Sequence, residues 1–175
     1  VILDVVYNHF GPDGNYLASY SPEYFAPAWT PWGQAPDFTC PWTRRLVLDN
    51  ARMWLEEYGF DGLRLDATQA IVDPSPVSIV AELAAAAGPK VVIAEDGAQD
   101  PRTVTEAGLA AIWADDFHHC VHALVTGERD GYYGEYAGTL AELARTIGRG
   151  LLYEGQPWLY TRRIRGGPAG PGNAR

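Results

Sequence analysis

The chain has 175 residues, of which 47 % are hydrophobic and 20 % charged, and its formal net charge is −9. This composition is typical of one soluble globular domain with a real hydrophobic core. Such an acidic chain disfavours nucleic acid as a partner, because phosphate contacts need basic side chains. The apolar runs are too short or too interrupted to span a bilayer, and no signal peptide is visible, so we expect no membrane partner either.

The cysteine content predicts a reducing compartment. Cys40 and Cys120 lack the spacing of a metal site and are interpreted as free thiols, which favours a cytoplasmic location. No motif indicates a cofactor. The six Trp and ten Tyr are a high aromatic load for this length. Aromatic side chains build cores, and they also stack on the C–H faces of sugar rings, so a neutral small substrate is the better expectation.

Strand and helix patterns alternate along the chain, which predicts an α/β fold with right-handed βαβ units. A Gly-, Pro- and aromatic-rich stretch from Phe10 to Trp42 predicts one long loop. An irregular tail rich in Arg, Gly and Pro is expected over residues 156–175, after a barrel domain covering residues 1–155. The predicted strands and helices are, in order, Val1–Val6, Arg44–Tyr58, Phe60–Ala67, Ser78–Ala87, Lys90–Ala94, Thr103–Gly108, Ala111–Ala114 and Thr139–Ile147.

Polar side chains follow each predicted strand. Asn8-His9 follows the first strand, Asp66 the second, Glu95 the third and Asp115-Asp116 the fourth. In a parallel α/β barrel the active site is built at the carboxyl ends of the strands. Each residue could instead cap the next helix, but the recurrence at four successive strand ends favours a catalytic pocket.

Two carboxylates stand out for glycoside hydrolysis. Arg64 and Asp66 are two apart on a strand and share a face, so the guanidinium favours an ionised Asp66, suited to be a nucleophile. The alternative is a buried structural ion pair. Partial burial of Glu95 favours its protonated form, which a general acid needs. Asp96 is the competing acid, because strand alternation lets only one of the two face the pocket.

Three segments resemble the α-amylase superfamily, glycoside hydrolase family 13. Asp4-Val-Val-Tyr-Asn-His9 is similar to its first conserved segment, Gly59-Phe-Asp-Gly-Leu-Arg-Leu-Asp-Ala67 to its second, and Ile93-Ala-Glu-Asp96 to its third. Within the superfamily, the run from Trp113 to His119 and the residues up to Tyr133 resemble the maltooligosyltrehalose trehalohydrolases. The resemblance covers about residues 1–156.

The resemblance implies a partial (β/α)8 TIM barrel from roughly its third strand onward. It implies a retaining hydrolase that cleaves the α-1,4-glucosidic bond next to the terminal trehalose of maltooligosyltrehalose and releases trehalose. Asp66 would be the nucleophile and Glu95 the proton donor, with His9 and Arg64 on the sugar in the cleavage subsite. The other residues implied to bind substrate are Leu65, Ala67, Thr68, Gln69, Asp116, Phe117, His118 and His119.

The chain also departs from the superfamily pattern. A complete barrel needs about 250 residues, the chain opens mid-pattern without an initiator Met, and no Asn-His-Asp segment supplies the third catalytic acid. We expect a fragment that is inactive alone. Two other functions stay open: a 1,4-α-glucan branching enzyme or related glucan-acting enzyme, and a non-catalytic carbohydrate-binding module using the aromatic loop. His118 or His119 with His122 could hold zinc, but no metal is expected.

Overall fold

A computed structural model describes residues 1–159 and 163–167. The chain forms two compact units, Val1–Glu95 with Arg102–Ala111, and Asp96–Pro101 with Ile112–Arg175. The strands and helices, in chain order, are β1 (Ile2–Val5), α1 (Leu17–Tyr20), β2 (Phe25–Thr30), β3 (Gly33–Pro36), α2 (Pro41–Arg52), β4 (Gly62–Leu65), α3 (Ile79–Ala87), β5 (Val91–Glu95), α4 (Arg102–Thr105), β6 (Ala111–Trp113), α5 (Asp115–Thr126), α6 (Leu140–Arg149), β7 (Glu154–Trp158) and β8 (Arg163–Gly166).

A parallel sheet organises the first unit. β1 pairs with β4, and β4 pairs with β5, both in parallel, and β6 follows β5 in the sheet order. Gly62 lies opposite Ile2 on one side and Val91 on the other. A Cβ on Gly62 would lie 2.2 Å from the carbonyl oxygen of Val91 and 2.8 Å from Cδ1 of Ile2, so only glycine fits between these strands. Parallel strands connected through helices confirm the predicted α/β class.

Strand alternation divides the sheet into a core face and a polar face. Leu63 and Leu65 of β4 are buried in the main hydrophobic cluster together with apolar residues of α2 and α3. Arg64 of β4 lies at the intervening position, so its side chain points to the opposite face. α2 and α3 lie at predicted helical segments, whereas α5 was not predicted. Ser78 caps α3 by accepting a hydrogen bond from the backbone N–H of Ala81 at 3.2 Å.

The long loop predicted between Phe10 and Trp42 contains ordered structure, so that prediction is wrong in part. β2 and β3 form an antiparallel hairpin, and Phe10 pairs with Gln34 in an isolated bridge. Gly33 has a φ of +156°, and a Cβ there would lie 2.1 Å from the carbonyl oxygen of Phe10. The hairpin is therefore held directly against the segment that follows β1.

The second unit has its own small core, formed by Cys120, Ala123, Tyr136 and Leu152. β7 and β8 are antiparallel strands. Residues 156–158 and 163–166 therefore have regular structure, and the prediction of an irregular tail from residue 156 onward is wrong for them. The reason is Arg165, which is 1 % exposed and lies in the interior rather than in solvent. Residues 160–162 and 168–175 of the predicted tail lie outside the described residues.

In the described part of the chain, none of the helices is both long enough and apolar enough to cross a membrane.

Candidate active site

Arg64 is the centre of a carboxylate cluster at the ends of the first unit's strands. Its Nη1 donates to Oδ1 of Asp66 and to Oδ1 of Asp4, each at 2.8 Å, and its Nη2 lies 3.8 Å from Oε2 of Glu95. The guanidinium side chain is 16 % exposed. Burial alone would lower the pKa of Arg64, but the hydrogen bonds to Asp4 and Asp66 outweigh it and raise the pKa above its usual value. Arg64 therefore stays charged beside both candidate catalytic carboxylates.

Glu95, rather than Asp96, faces this cluster. Oε2 of Glu95 accepts a hydrogen bond from the backbone N–H of Ala67 at 2.7 Å. The carboxylate of Asp96 is 4 % exposed and accepts backbone N–H groups of its own turn, from Ala98 at 2.8 Å and Gln99 at 3.2 Å. Desolvation by burial raises the pKa of Asp96. Since Leu65 pairs with Ala94 in register, Asp66 and Glu95 are the next residues on two neighbouring strands.

The residues on either side of Asp66 contribute different groups: a core side chain, a backbone N–H and a hydroxyl. Leu65 is 1 % exposed and belongs to the hydrophobic core, because strand alternation turns its side chain away from Asp66; its contact with substrate stays a prediction. Ala67 is buried and contributes its backbone N–H. The hydroxyl of Thr68 donates to the backbone carbonyl of Glu95 at 3.1 Å. Gln69 is half-buried in the short turn that follows.

His9 is held beside the cluster by its neighbour. Asn8 is fully buried, and its Nδ2 donates to the backbone carbonyl of Asp66 at 2.7 Å and to Oδ2 of Asp66 at 3.0 Å. These bonds assign the Asn8 amide orientation, so its Oδ1 accepts from Nδ1 of His9 at 2.5 Å. Nδ1 therefore carries a proton, and in the neutral ring Nε2 is the acceptor. The ring of Trp32, on the β2–β3 turn, lies 5.9 Å from the His9 ring.

Two residues of the cluster were missing from the predicted site. Asn8 was noted only as a strand-end residue, and Asp4 only as part of a motif. Asp4 could have been found from the strand period, because it lies opposite Arg64 in the parallel register of β1 and β4 and shares its face. The Asn8 contact with the backbone of Asp66 depends on the turn after β4 and has no comparable sequence signal.

In the second unit, Asp116 has a structural role. It is 0 % exposed; its Oδ1 accepts from the hydroxyl of Tyr136 at 2.9 Å and its Oδ2 from the backbone N–H of Leu152 at 2.7 Å. Nη2 of Arg165 lies 3.4 Å from Oδ1. Both carboxylate oxygens are therefore used inside the unit, and the contact of Asp116 with sugar stays a prediction.

The next three predicted residues share the start of α5 but differ in environment. Phe117 is 49 % exposed, and His118 is exposed. His119 is half-buried, with Nδ1 3.1 Å from the hydroxyl of Tyr136. Burial lowers the pKa of His119 to about 4, so the imidazole is neutral near pH 7. Phe117 and His118 are thus the residues of this run that remain accessible.

His122 of α5 contacts two side chains of the second unit. Nε2 of His122 lies 2.7 Å from Oε2 of Glu128, and its ring stacks on Tyr133 with the centroids 4.2 Å apart. Over residues 1–159 and 163–167, no group of three His, Cys, Asp or Glu side chains is arranged to hold a metal ion.

Comparison with known proteins decides the family. The maltooligosyltrehalose trehalohydrolase of Deinococcus radiodurans is 51 % identical over 163 residues, covering 90 % of this chain and 27 % of that protein. A Salmonella typhimurium crystal structure assigned as an alpha amylase superposes with a TM-score of 0.86 and 33 % identity, over 97 % of this chain and 31 % of that one. The chain belongs to the α-amylase superfamily. It is part of the superfamily's (β/α)8 barrel.

Other comparisons are weaker. A 1,4-alpha-glucan branching enzyme of Aquifex aeolicus is 36 % identical over 80 residues, which is 41 % of this chain and 13 % of that protein. No family model matches the chain. The chain spans under a third of the length of the trehalohydrolase and of the Salmonella α-amylase-type chain.

Proposed function

We propose that this chain supplies the nucleophile and the proton donor of a retaining glycoside hydrolase that releases trehalose from maltooligosyltrehalose. The observation that carries the proposal is that Asp66 and Glu95 follow neighbouring parallel strands and both lie within 4 Å of the same guanidinium, that of Arg64. Two carboxylates flanking one glycosidic bond are what glycoside hydrolysis requires.

In the first step, Asp66 attacks the anomeric carbon of the sugar. Arg64 and Asn8 donate to its two oxygens, which orients the carboxylate toward the sugar. The bond from the anomeric carbon to the bridging oxygen breaks, its electron pair passes to that oxygen, and Glu95 gives this oxygen a proton. Because the Ala67 N–H occupies Oε2 of Glu95, the proton is carried on Oε1.

In the second step, water hydrolyses the sugar–Asp66 ester by displacing Asp66 from the anomeric carbon. The ionised Glu95 takes a proton from the water while the water oxygen bonds to the anomeric carbon, and Asp66 leaves as a carboxylate. Two inversions give net retention of the α configuration. His9, whose Nε2 accepts when the ring is neutral, binds a hydroxyl of the sugar at the cleavage subsite.

The choice of maltooligosyltrehalose rests on the sequence similarity to a trehalohydrolase over nine-tenths of this chain. The products are trehalose and a shorter maltooligosaccharide, which places the reaction in trehalose biosynthesis. Phe117, His118 and Gln69 contribute to the substrate groove, and the third catalytic acid comes from outside residues 1–175. The reaction needs no cofactor, and the free thiols of Cys40 and Cys120 favour a cytoplasmic location.

The branching enzyme is the second candidate, supported by the shorter match to a protein of that name. It shares the nucleophile and the acid but passes the glucosyl unit to a glucan hydroxyl instead of water. A non-catalytic carbohydrate-binding module would need neither carboxylate, and the shared guanidinium of Asp66 and Glu95 argues against it.

The test uses the full-length protein that carries this chain. Incubation with maltooligosyltrehalose should release trehalose, with the new reducing end initially in the α form by NMR. Asp66→Asn should lose turnover by about 10³-fold or more, since it removes the nucleophile, while substrate still binds. Asp49→Asn is the matched control, because Asp49 forms only surface ion pairs with Arg45 and Arg52.

Three outcomes would redirect the proposal. New α-1,6 branches in amylose without trehalose release would support the branching enzyme. Undiminished turnover by Asp66→Asn would remove Asp66 from the mechanism. Binding of glucan with no turnover by the unsubstituted protein would support the binding module.

A further inference from the structure

We propose that the turn after β4 positions the proton donor: the peptide group between Asp66 and Ala67 holds the carboxylate of Glu95, and Thr68 is a positioning residue that holds its backbone. The inference rests on the proposed function, because it assigns to this turn the placement of the acid for that reaction.

The backbone of Ala67 is the first observation. Its φ and ψ are +40° and +55°, in the left-handed region, which is unfavourable for a residue with a Cβ. Such conformations persist where the surroundings impose them, and they cluster at functional sites. Ala67 directly follows the candidate nucleophile, so the strained backbone lies inside the site rather than at a distant turn.

The contacts of the Asp66–Ala67 peptide explain what the strain achieves. Its carbonyl oxygen accepts from Nδ2 of Asn8 at 2.7 Å, and its N–H donates to Oε2 of Glu95 at 2.7 Å. One peptide group therefore joins the end of β1 to the end of β5. The φ and ψ of Ala67 set the orientation of this peptide relative to Thr68, so the left-handed conformation is what lets the Ala67 N–H and the Thr68 hydroxyl contact Glu95 together.

Thr68 holds the backbone of Glu95, whereas Ala67 holds its carboxylate. It is 9 % exposed, and its hydroxyl donates to the backbone carbonyl of Glu95 at 3.1 Å. Two consecutive residues of one turn thus hold Glu95 at its backbone and at its carboxylate. Oε2 is occupied by the Ala67 N–H, and over the described residues no donor is recorded at Oε1. The turn consequently selects Oε1 as the oxygen that meets the bridging oxygen of the substrate.

This arrangement couples the two catalytic carboxylates. Asp66 begins the turn, and Glu95 is bound by the next two residues, so a movement of one is transmitted to the other. Retention requires the two carboxyl groups about 5–5.5 Å apart, and a misplacement of about 1 Å in an active site can cost about 100-fold in rate. A hydroxyl that holds the backbone of the acid can therefore set the rate.

The experiment compares two substitutions in the full-length protein with maltooligosyltrehalose as the probe. Thr68→Val keeps the shape and removes the hydroxyl; kcat should fall about tenfold, because the acid is displaced by a fraction of an ångström, while KM stays within about twofold. Thr68→Ser keeps the hydroxyl and should restore kcat to within about threefold. Thr146→Val is the matched control: Thr146 is also buried, and its hydroxyl bonds backbone carbonyls within α6. It should leave kcat unchanged.

The outcomes separate this inference from the function on which it rests. An unchanged kcat in Thr68→Val, an equal loss in Thr146→Val, or failure of Thr68→Ser to restore the rate would overturn the positioning role alone. If the Thr68→Val protein does not fold, as judged by its thermal unfolding, the Thr68→Ser protein decides: a tenfold loss with the hydroxyl present overturns the role, and a near-normal kcat supports it. Absence of any glucan turnover by the unsubstituted protein would overturn the proposed function and this inference together.

Discussion

Acidification should destabilise the protein through His119. Burial, followed by the charges of His118, Arg165 and His122, lowers the pKa of His119 from 6.5 to about 4. The ring is enclosed by three tyrosines at centroid distances of 4.7, 5.4 and 5.2 Å: Tyr132, Tyr133 and Tyr136. An imidazolium would have to replace its hydration in this aromatic pocket, so the folded protein resists protonation where the unfolded chain does not.

The sign and size of the effect follow from proton binding. Between pH 6.5 and about 4 the unfolded chain binds more protons at this position than the folded one, so the free energy of unfolding falls as the pH falls through that window. At about 1.4 kcal/mol per pH unit, the full window corresponds to about 3 kcal/mol. Solvent reaches part of the ring, which screens the effect, and we expect about 1–2 kcal/mol.

Urea unfolding at about pH 7 and about pH 4.5 measures this. His119→Gln keeps a polar partner for Tyr136 and removes the titrating group, so its stability should fall by about 1–2 kcal/mol less than that of the unsubstituted protein over the same interval. His118→Gln, exposed on the same helix, should keep most of the pH dependence. Identical pH dependence in His119→Gln and the unsubstituted protein would refute the reasoning.

Two further predictions concern the sheet and its charge cluster. Gly62→Ala places a Cβ 2.2 Å from a β5 carbonyl oxygen and should cost about 1–3 kcal/mol in urea unfolding; the control Gly148→Ala, which meets no atom within 4 Å, should not destabilise, and equal stability of both variants would contradict the packing argument. Arg64→Lys replaces a guanidinium that reaches three carboxylates by a single ammonium, so kcat/KM should fall about 10- to 100-fold. The control Arg45→Lys changes a side chain that is 70 % exposed and should leave kcat/KM unchanged. Full activity of the Arg64→Lys protein would show that the cluster does not depend on the geometry of the guanidinium.

The strands of the first unit were predictable because their signals are local. Runs such as Val91–Ala94 are apolar and β-branched, and glycines or prolines bound them, so period and punctuation agree. The β2–β3 hairpin was missed because Pro27 and the surrounding glycines are typical of a loop. Its register depends instead on Gly33, which lies against the backbone of Phe10, and no property of either residue alone indicates that contact.

Some site residues likewise follow from local sequence rules, and others depend on contacts between distant residues. Arg64 and Asp66 share a face because the strand period is two, and the same rule places the Leu65 side chain in the core. Asp4 follows from the same rule once the register of β1 is known. Reasoning from the element on which a residue sits therefore locates the strand-end groups correctly, including some that motif similarity leaves out.

Asp116 shows why the same reasoning fails at the start of α5. A carboxylate directly after a strand suggests a pocket or a helix cap, and its sequence neighbours Phe117 and His118 are indeed accessible. What buries Asp116 is a set of partners far along the chain, the hydroxyl of Tyr136, the backbone of Leu152 and the guanidinium of Arg165. Arg165 in turn needs nearby anions, since it is a cation that is 1 % exposed, and Asp116 and Glu135 supply them. A carboxylate that motif similarity assigns to substrate and an arginine in a supposed tail thus belong to one interior ion-pair cluster, and neither has an interpretable signal without the other.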